Sequence, residues 1–132
     1  VLGAEGVQIG TRFALTYESS ASDVFKEYCL RLNEGDTKLL LKKLAPTRLV
    51  TNSFRDAVEA AEDRGASAEE LRELLGRGRA KKGIFEGDLE EGELEIGQVA
   101  SLFRQQQSVA EVMKELLEEY ERRKQTLTTN LF

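Results

Sequence analysis

GAEGVQIGTRF, residues 3–13, is the stretch whose reading decides the fold. Gly3, following Val1-Leu2, reads as the left-handed residue that closes a helix. Residues 5–9 then alternate as a short extended run, with a strand centred on residues 4–9, and Gly10-Thr11 breaks it. Such a run resembles a central strand of a parallel sheet, entered from the last turn of a crossover helix. No parallel neighbour is legible further along, and one strand cannot make a sheet. The expectation is a C-terminal piece of a larger α/β protein: residues 1–20 would end its sheet, and residues 21–132 would form a mostly helical region packed on it.

Outward from that stretch, the helical signals are clear. Ser20 or Ser22 is a candidate N-cap for a helix that places Val24, Phe25, Tyr28, Cys29 and Leu32 on one face and ends at Asn33-Glu34-Gly35. Residues 38–44 and 48–51 are extended candidates separated by the one proline, Pro46, which forces its predecessor out of the helical region. Residues 52–64 read as a helix stopped by Gly65. Ser67 and Glu70 form a capping box ahead of Leu71, Leu74 and Leu75, and Gly76 and Gly78 end that helix. A polar, glycine-spaced stretch, GIFEGDLEEGELEIGQ, fills residues 83–98. A second capping box, Ser108 and Glu111, opens a helix over residues 109–124 whose stripe is Val109, Val112, Met113, Leu116, Leu117 and Tyr120, a core or docking surface. The closing TLTTNLF reads as a frayed tail.

Composition bounds the chemistry. In 132 residues, 19 basic and 24 acidic side chains leave a net charge of −5, so no basic field steers the chain to nucleic acid or to an anionic membrane. No apolar run approaches the roughly 18 residues a bilayer requires, and no signal-peptide pattern shows. The lone cysteine, Cys29, excludes an internal disulfide, and the expected compartment is the cytoplasm. Its apolar neighbours make it a buried small hydrophobe rather than a nucleophile. The chain has no histidine, which removes the commonest general base and nearly all catalytic zinc sites. Proton transfer must then come from a carboxylate, a cofactor or a segment outside this sequence.

Gly10-Thr11 directly after an extended run suits phosphate binding. Glycine lets the backbone approach, consecutive amides point outward, and a hydroxyl adds a donor. An ordinary turn is the bland alternative at this level. The order of segments adds weight: G-A-E-G-V-Q-x-G-T-R-F, ESSASDVFKEYCL, the long glycine-spaced region with G-D-x-x-x-G-x-x-x-x-G-Q, and SVAEVMKELLEEYERR. Together they resemble the C-terminal part of the FMN-dependent nitronate monooxygenases, once called 2-nitropropane dioxygenases, whose fold the type II enoyl-ACP reductases share.

The resemblance implies the last strand of a (β/α)₈ TIM barrel at residues 4–9, with Val1-Leu2-Gly3 ending the seventh helix. It implies that Gln8, Ile9, Gly10 and Thr11 hold the FMN phosphate, with Gly97 and Gln98 near the flavin side of the barrel mouth. It implies no catalytic residue within this chain, since the family's histidine belongs to an earlier barrel segment, and it is compatible with a homodimer. Oxidation of alkyl nitronates with molecular oxygen is the expected activity. The alternative is reduction of an enoyl thioester by NAD(P)H, and a stand-alone helical interaction module is a third reading.

Other features have plainer readings. Arg12 suits a rim salt bridge better than a phosphate contact. Glu86, Asp88, Glu90, Glu91, Glu93 and Glu95 lack the alternating order of a calcium loop and read as a solvated loop rather than a metal site. Arg77, Arg79, Lys81 and Lys82 are balanced by the acids that follow. The polar FRQQQ before the last helix departs from the apolar, proline-containing linker usual in the family, which bears on how that helix docks.

Overall fold

The computed structural model describes residues 3–129. Val1 and Leu2, the expected end of a barrel helix, lie outside them, while Gly3 has the anticipated positive φ of 84°. The strand expected over residues 4–9 does not form. Residues 3–10 carry neither helix nor strand, and Val7 is 85% exposed. A strand exists only as part of a hydrogen-bonded ladder, and among the described residues no segment runs parallel to this one.

Gly10 leads into a single helical turn, α1 (Thr11–Ala14), in which the Ala14 amide donates to the Gly10 carbonyl at 2.9 Å. Helix α2 (Asp23–Cys29) follows, and of the two candidate caps it is Ser22 whose hydroxyl accepts from the Phe25 amide. Two strands, β1 (Thr37–Leu40) and β2 (Thr47–Val50), pair antiparallel with Thr37 opposite Val50 and Leu40 opposite Thr47. The first extended candidate is thus cut short. Leu41 turns into the left-handed region at φ 56°, and its burial to 1% exposure offsets a backbone cost of about 1–2 kcal/mol.

The hairpin divides two cores, because successive side chains of a strand point to opposite faces. On β2, Leu49 joins Leu40, Leu41, Phe54, Val58, Ala61 and Leu71, while Val50 joins Phe25, Cys29, Leu32, Leu94 and Ile96. Helices α3 (Ser53–Asp63), capped by Asn52, and α4 (Ala68–Leu75) cover the first of these faces. The α4 capping box is complete, with Ser67 and Glu70 bonding each other's backbone amides. Burial raises the Cys29 thiol to about 12, so it stays a neutral packing group.

The glycine-spaced stretch is more ordered than a solvated loop. It begins as a wide helical turn, Lys81–Phe85, and ends in a 3₁₀ turn, Gln98–Leu102. Between them Leu94 and Ile96 lay a short third rung on β2: the Val50 amide donates to Leu94 at 2.9 Å and the Ile96 amide to Arg48 at 3.4 Å. Gly83 and Gly92 touch backbone to backbone, so that a Cβ on Gly83 would lie 2.8 Å from the Glu93 carbonyl. The basic cluster is paired locally as expected, Arg79 with Glu91, Lys81 with Glu86 and Lys82 with Asp88.

Helix α5 (Val109–Thr129) starts at the second capping box and continues into the stretch expected to fray. Of its apolar stripe only Val112 is buried. Met113, Leu117 and Tyr120 remain 42%, 59% and 62% exposed, and with Val7, Ile9 and Phe13 they flank a groove of ≈ 760 Å³. Its base is fixed by polar contacts from the FRQQQ linker: the Tyr17 amide donates to the Gln107 carbonyl at 3.1 Å, and Gln107 reaches Glu115.

Candidate functional site

A pocket of ≈ 460 Å³ opens where the turn at Gly10-Thr11 meets β2 and the end of the glycine-spaced stretch. Gly10, Thr11 and Gly97, 86 residues apart in sequence, share its wall with Arg48 and Glu95. The Gly97 amide donates to the Thr11 hydroxyl oxygen at 3.1 Å. That bond occupies an acceptor lone pair and leaves the Thr11 O–H free to donate. A Cβ on Gly97 would lie 2.4 Å from Thr11 Oγ1, so any larger residue there forces the Thr11 side chain to move. A Cβ on Gly10, by contrast, meets no atom of the described residues within 4 Å, and its φ of −103° suits any residue. Nothing among the described residues therefore demands glycine at position 10.

The other expected site residues scatter. Gln8 is exposed on the unpaired segment, and Ile9 turns with Val7 and Phe13 toward the groove along α5. Gln98 lines a neighbouring hollow rather than this pocket. Arg12 is engaged as a structural cation: its guanidinium pairs with Glu115, reaches Gln107 Oε1 at 3.2 Å and lies 5.5 Å from the Phe103 ring centre.

Within the acidic stretch the carboxylates differ in kind. Asp88 accepts from the Glu91 amide at 2.8 Å and the Glu90 amide at 3.0 Å and pairs with Lys82, which lowers its pKa to about 2. It is a turn-former. Glu93 overturns the reading of the whole stretch as solvated, for it is only 7% exposed. Alternation along residues 93–96 puts Leu94 and Ile96 into the core and leaves Glu93 and Glu95 on the same side. Burial, then the neighbouring Glu95 carboxylate and a hydrogen bond with it, raise Glu93 to about 7, against the opposing pull of Arg79. No group of three or more metal-ligating side chains occurs among the described residues.

Arg48 is the site residue that sequence reading passed over. It sits in a four-residue strand with nothing local to mark it, and only the crossing of residues 94–97 over β2 brings it beside Gly10 and Thr11. Lys26 is a second unannounced group. Though 2% exposed, its ammonium donates to the Ser19 carbonyl at 2.8 Å and so holds the turn between α1 and α2.

The sequence profile of nitronate monooxygenase matches residues 1–119. A 38-residue segment is 55% identical to a probable nitronate monooxygenase of Bacillus subtilis (strain 168), covering 29% of this chain and 11% of that protein. FabK from Thermotoga maritima superposes with a TM-score of 0.86 at 30% identity, over 98% of this chain and 41% of that one. A FabK (M276A) mutant from Thermotoga maritima gives 0.80 at 28% identity, over 98% and 38%. The chain thus spans well under half the length of these relatives. No helix among the described residues is long and apolar enough to cross a membrane. By sequence and by fold, this α/β chain belongs to the nitronate monooxygenase family of flavin-dependent oxidoreductases.

Proposed function

We propose that the Gly10-Thr11 pocket holds the phosphate of FMN, and that the protein carrying this chain is a nitronate monooxygenase that oxidises alkyl nitronates with molecular oxygen. One observation carries the placement: the Gly97 amide consumes an acceptor site of Thr11, which leaves its hydroxyl proton to donate into a pocket where a glycine stands with open space around its Cα. A phosphate dianion needs several donors at once, and an exposed turn amide, a hydroxyl and a nearby guanidinium are of the right chemistry. Gly10 and Thr11 would hold the group, Gly97 would set the Thr11 rotamer, and Arg48 would add charge from β2. When bound, the flavin supplies the redox chemistry. Residues 4–9 would then be the eighth strand of a TIM barrel, paired to neighbours supplied from outside this chain. With no histidine in its sequence, the chain supplies no imidazole to the reaction.

Substitution at Gly10 tests the placement cleanly, because a side chain there collides with nothing among the described residues. Gly10→Val should lose flavin absorbance per protein on purification while its melting temperature, measured on the apo form, stays near the parent's. Full flavin retention would mean that the phosphate is held elsewhere.

A second reading, enoyl-thioester reduction with NAD(P)H on the same flavin grip, draws on the FabK structures, which match 98% of the chain. Oxygen uptake with an alkyl nitronate, set against NAD(P)H consumption with an enoyl thioester, separates the two in the full-length protein.

A further inference from the structure

The pocket assigned to the FMN phosphate carries an acidic residue in its own wall: Glu95 lines it together with Gly10, Thr11, Arg48 and Gly97. An anion brought there meets a like charge, which weakens binding unless the carboxylate is neutralised or shares a proton. Glu93 supplies that proton. It stands two residues away on the same side of the segment, only 7% exposed, and it is hydrogen-bonded to Glu95. A hydrogen bond between two carboxyl groups requires one of them to be protonated, since an ionised carboxylate only accepts. Burial and the Glu95 charge keep the proton on Glu93 up to about pH 7. Arg79, ahead of the Lys81–Phe85 turn, is the cation that acts on Glu93, and it is shared with Glu91 at 3.5 Å. On β2 the charged side chain is Arg48, which lines the pocket with Glu95. Arg12 of α1, Arg55 of α3 and Lys82 are each paired with another carboxylate, Glu115, Asp56 and Asp88 respectively.

We propose that the Glu93–Glu95 pair is a proton-linked control on flavin binding, holding one proton while the phosphate occupies the pocket and releasing it more readily when the pocket is empty. This inference rests on the placement of FMN in the Gly10-Thr11 pocket. The protonated pair carries one negative charge and the deprotonated pair two. A phosphate dianion beside Glu95 therefore binds the protonated form more tightly, and by reciprocity its binding strengthens the pair's hold on the proton. Glu95 is exposed, so the proton enters from solvent and returns to it while Glu93 stays buried. With the pair titrating at about 7 in the empty pocket, its contribution to flavin affinity falls as pH rises through neutrality. The second ionisation of the phosphate itself, at about 6, favours the dianion as pH rises and so acts in the opposite direction.

The test is calorimetric titration of FMN into the flavin-stripped full-length protein, in two buffers of different ionisation enthalpy. At about pH 7.5 the phosphate is almost wholly a dianion, so proton uptake reports on the protein. The parent should take up a large part of one proton per FMN bound, and Glu93→Gln should take up none. Riboflavin, which lacks the phosphate, should bind the parent without uptake. Glu93→Gln keeps a hydrogen bond to Glu95 but fixes the pair at one negative charge. It should match the parent's FMN affinity at about pH 6 and exceed it by about threefold to tenfold at about pH 8, a gain that misfolding does not produce. Glu95→Gln, at an exposed position, removes the like charge and should bind FMN more tightly than the parent at both pH values. The proposal is overturned by zero uptake in the parent, by equal uptake in Glu93→Gln, or by equal uptake with riboflavin. Zero uptake together with flavin loss in Gly10→Val ends the linkage and spares the phosphate placement, whereas flavin retained in Gly10→Val ends the placement itself.

Discussion

Thr11 and Gly97 act as one unit. Thr11→Ala removes both the hydroxyl donor facing the pocket and the acceptor of the Gly97 amide, so flavin affinity should fall by about 10-fold to 150-fold, the range of a hydrogen bond to a charged group. Gly97→Ala leaves the hydroxyl in place but drives a methyl into it, and it should weaken flavin to a similar degree. If Gly97→Ala binds flavin normally while Thr11→Ala does not, Gly97 does not set the Thr11 rotamer. Glu93 makes a separate prediction about pH. Its carboxyl sits near 7 in the fold and near the ordinary 4.3 or so when unfolded, so between those values the native state retains a proton that the unfolded chain has released. Stability from this group is present in full below the lower value and is lost as pH rises through about 7, by up to about 3 kcal/mol. Glu93→Gln should remove that slope and unfold at higher urea than the parent above neutral pH. Equal pH profiles for the two proteins would show that Glu93 titrates normally. In the sequence, the turn after an extended run marked Gly10 and Thr11, and the family resemblance added Gln8, Ile9, Gly97 and Gln98. Nothing local distinguishes Glu93 from its five acidic neighbours, because its burial comes from a crossing with β2 over forty residues back in the chain.

At the scale of elements, what is encoded locally was legible. Both capping boxes form, the helix over residues 52–64 differs by one residue at each end, and the Pro46 break separates the two strands. Pairing was not legible, because four-residue strands carry too little pattern to specify a partner or to tell parallel from antiparallel. The strand expected at residues 4–9 failed for the same reason in reverse: its local pattern is sound, but it has no ladder partner among the described residues. The glycine spacing of residues 83–97 proves to be a set of backbone requirements. Gly87 takes φ 80°, Gly92 presses on Gly83, and Gly97 presses on Thr11. Gly92→Ala should therefore destabilise the fold by about 1–3 kcal/mol or more, since the clash is with backbone that cannot rotate away. Chemical denaturation checks it, and Glu91→Gln, an exposed residue of the same stretch, is the control expected to change neither stability nor flavin content. A Gly92→Ala protein as stable as the control would mean that the two segments are not locked together.

Taken as a whole, the molecule has two filled cores and one unfilled face. The cores on either side of the hairpin are closed by α2, α3, α4 and the glycine-spaced stretch, yet along α5 the stripe of Met113, Leu117 and Tyr120 faces solvent across a groove from Ile9 and Phe13. Apolar side chains at helical spacing on one face are the signature of a surface meant to be covered. The unpaired segment at residues 3–10 borders the same groove and presents free backbone amides and carbonyls beside it. Expressed by itself, the 132-residue chain should therefore associate with itself through this face. Sedimentation velocity should show species heavier than 14.8 kDa that grow with concentration. Leu117→Glu puts a charge in the middle of the stripe at a position already 59% exposed, so it costs the monomer little and should shift the distribution toward monomer. Arg31→Gln, on the exposed side of the chain after α2, alters charge by the same single unit away from the groove and should leave association unchanged. A parent chain that sediments as a monomer at all concentrations and melts in one sharp transition would show that the exposed stripe needs no cover, and that the groove is a feature of the folded surface rather than half of an interface.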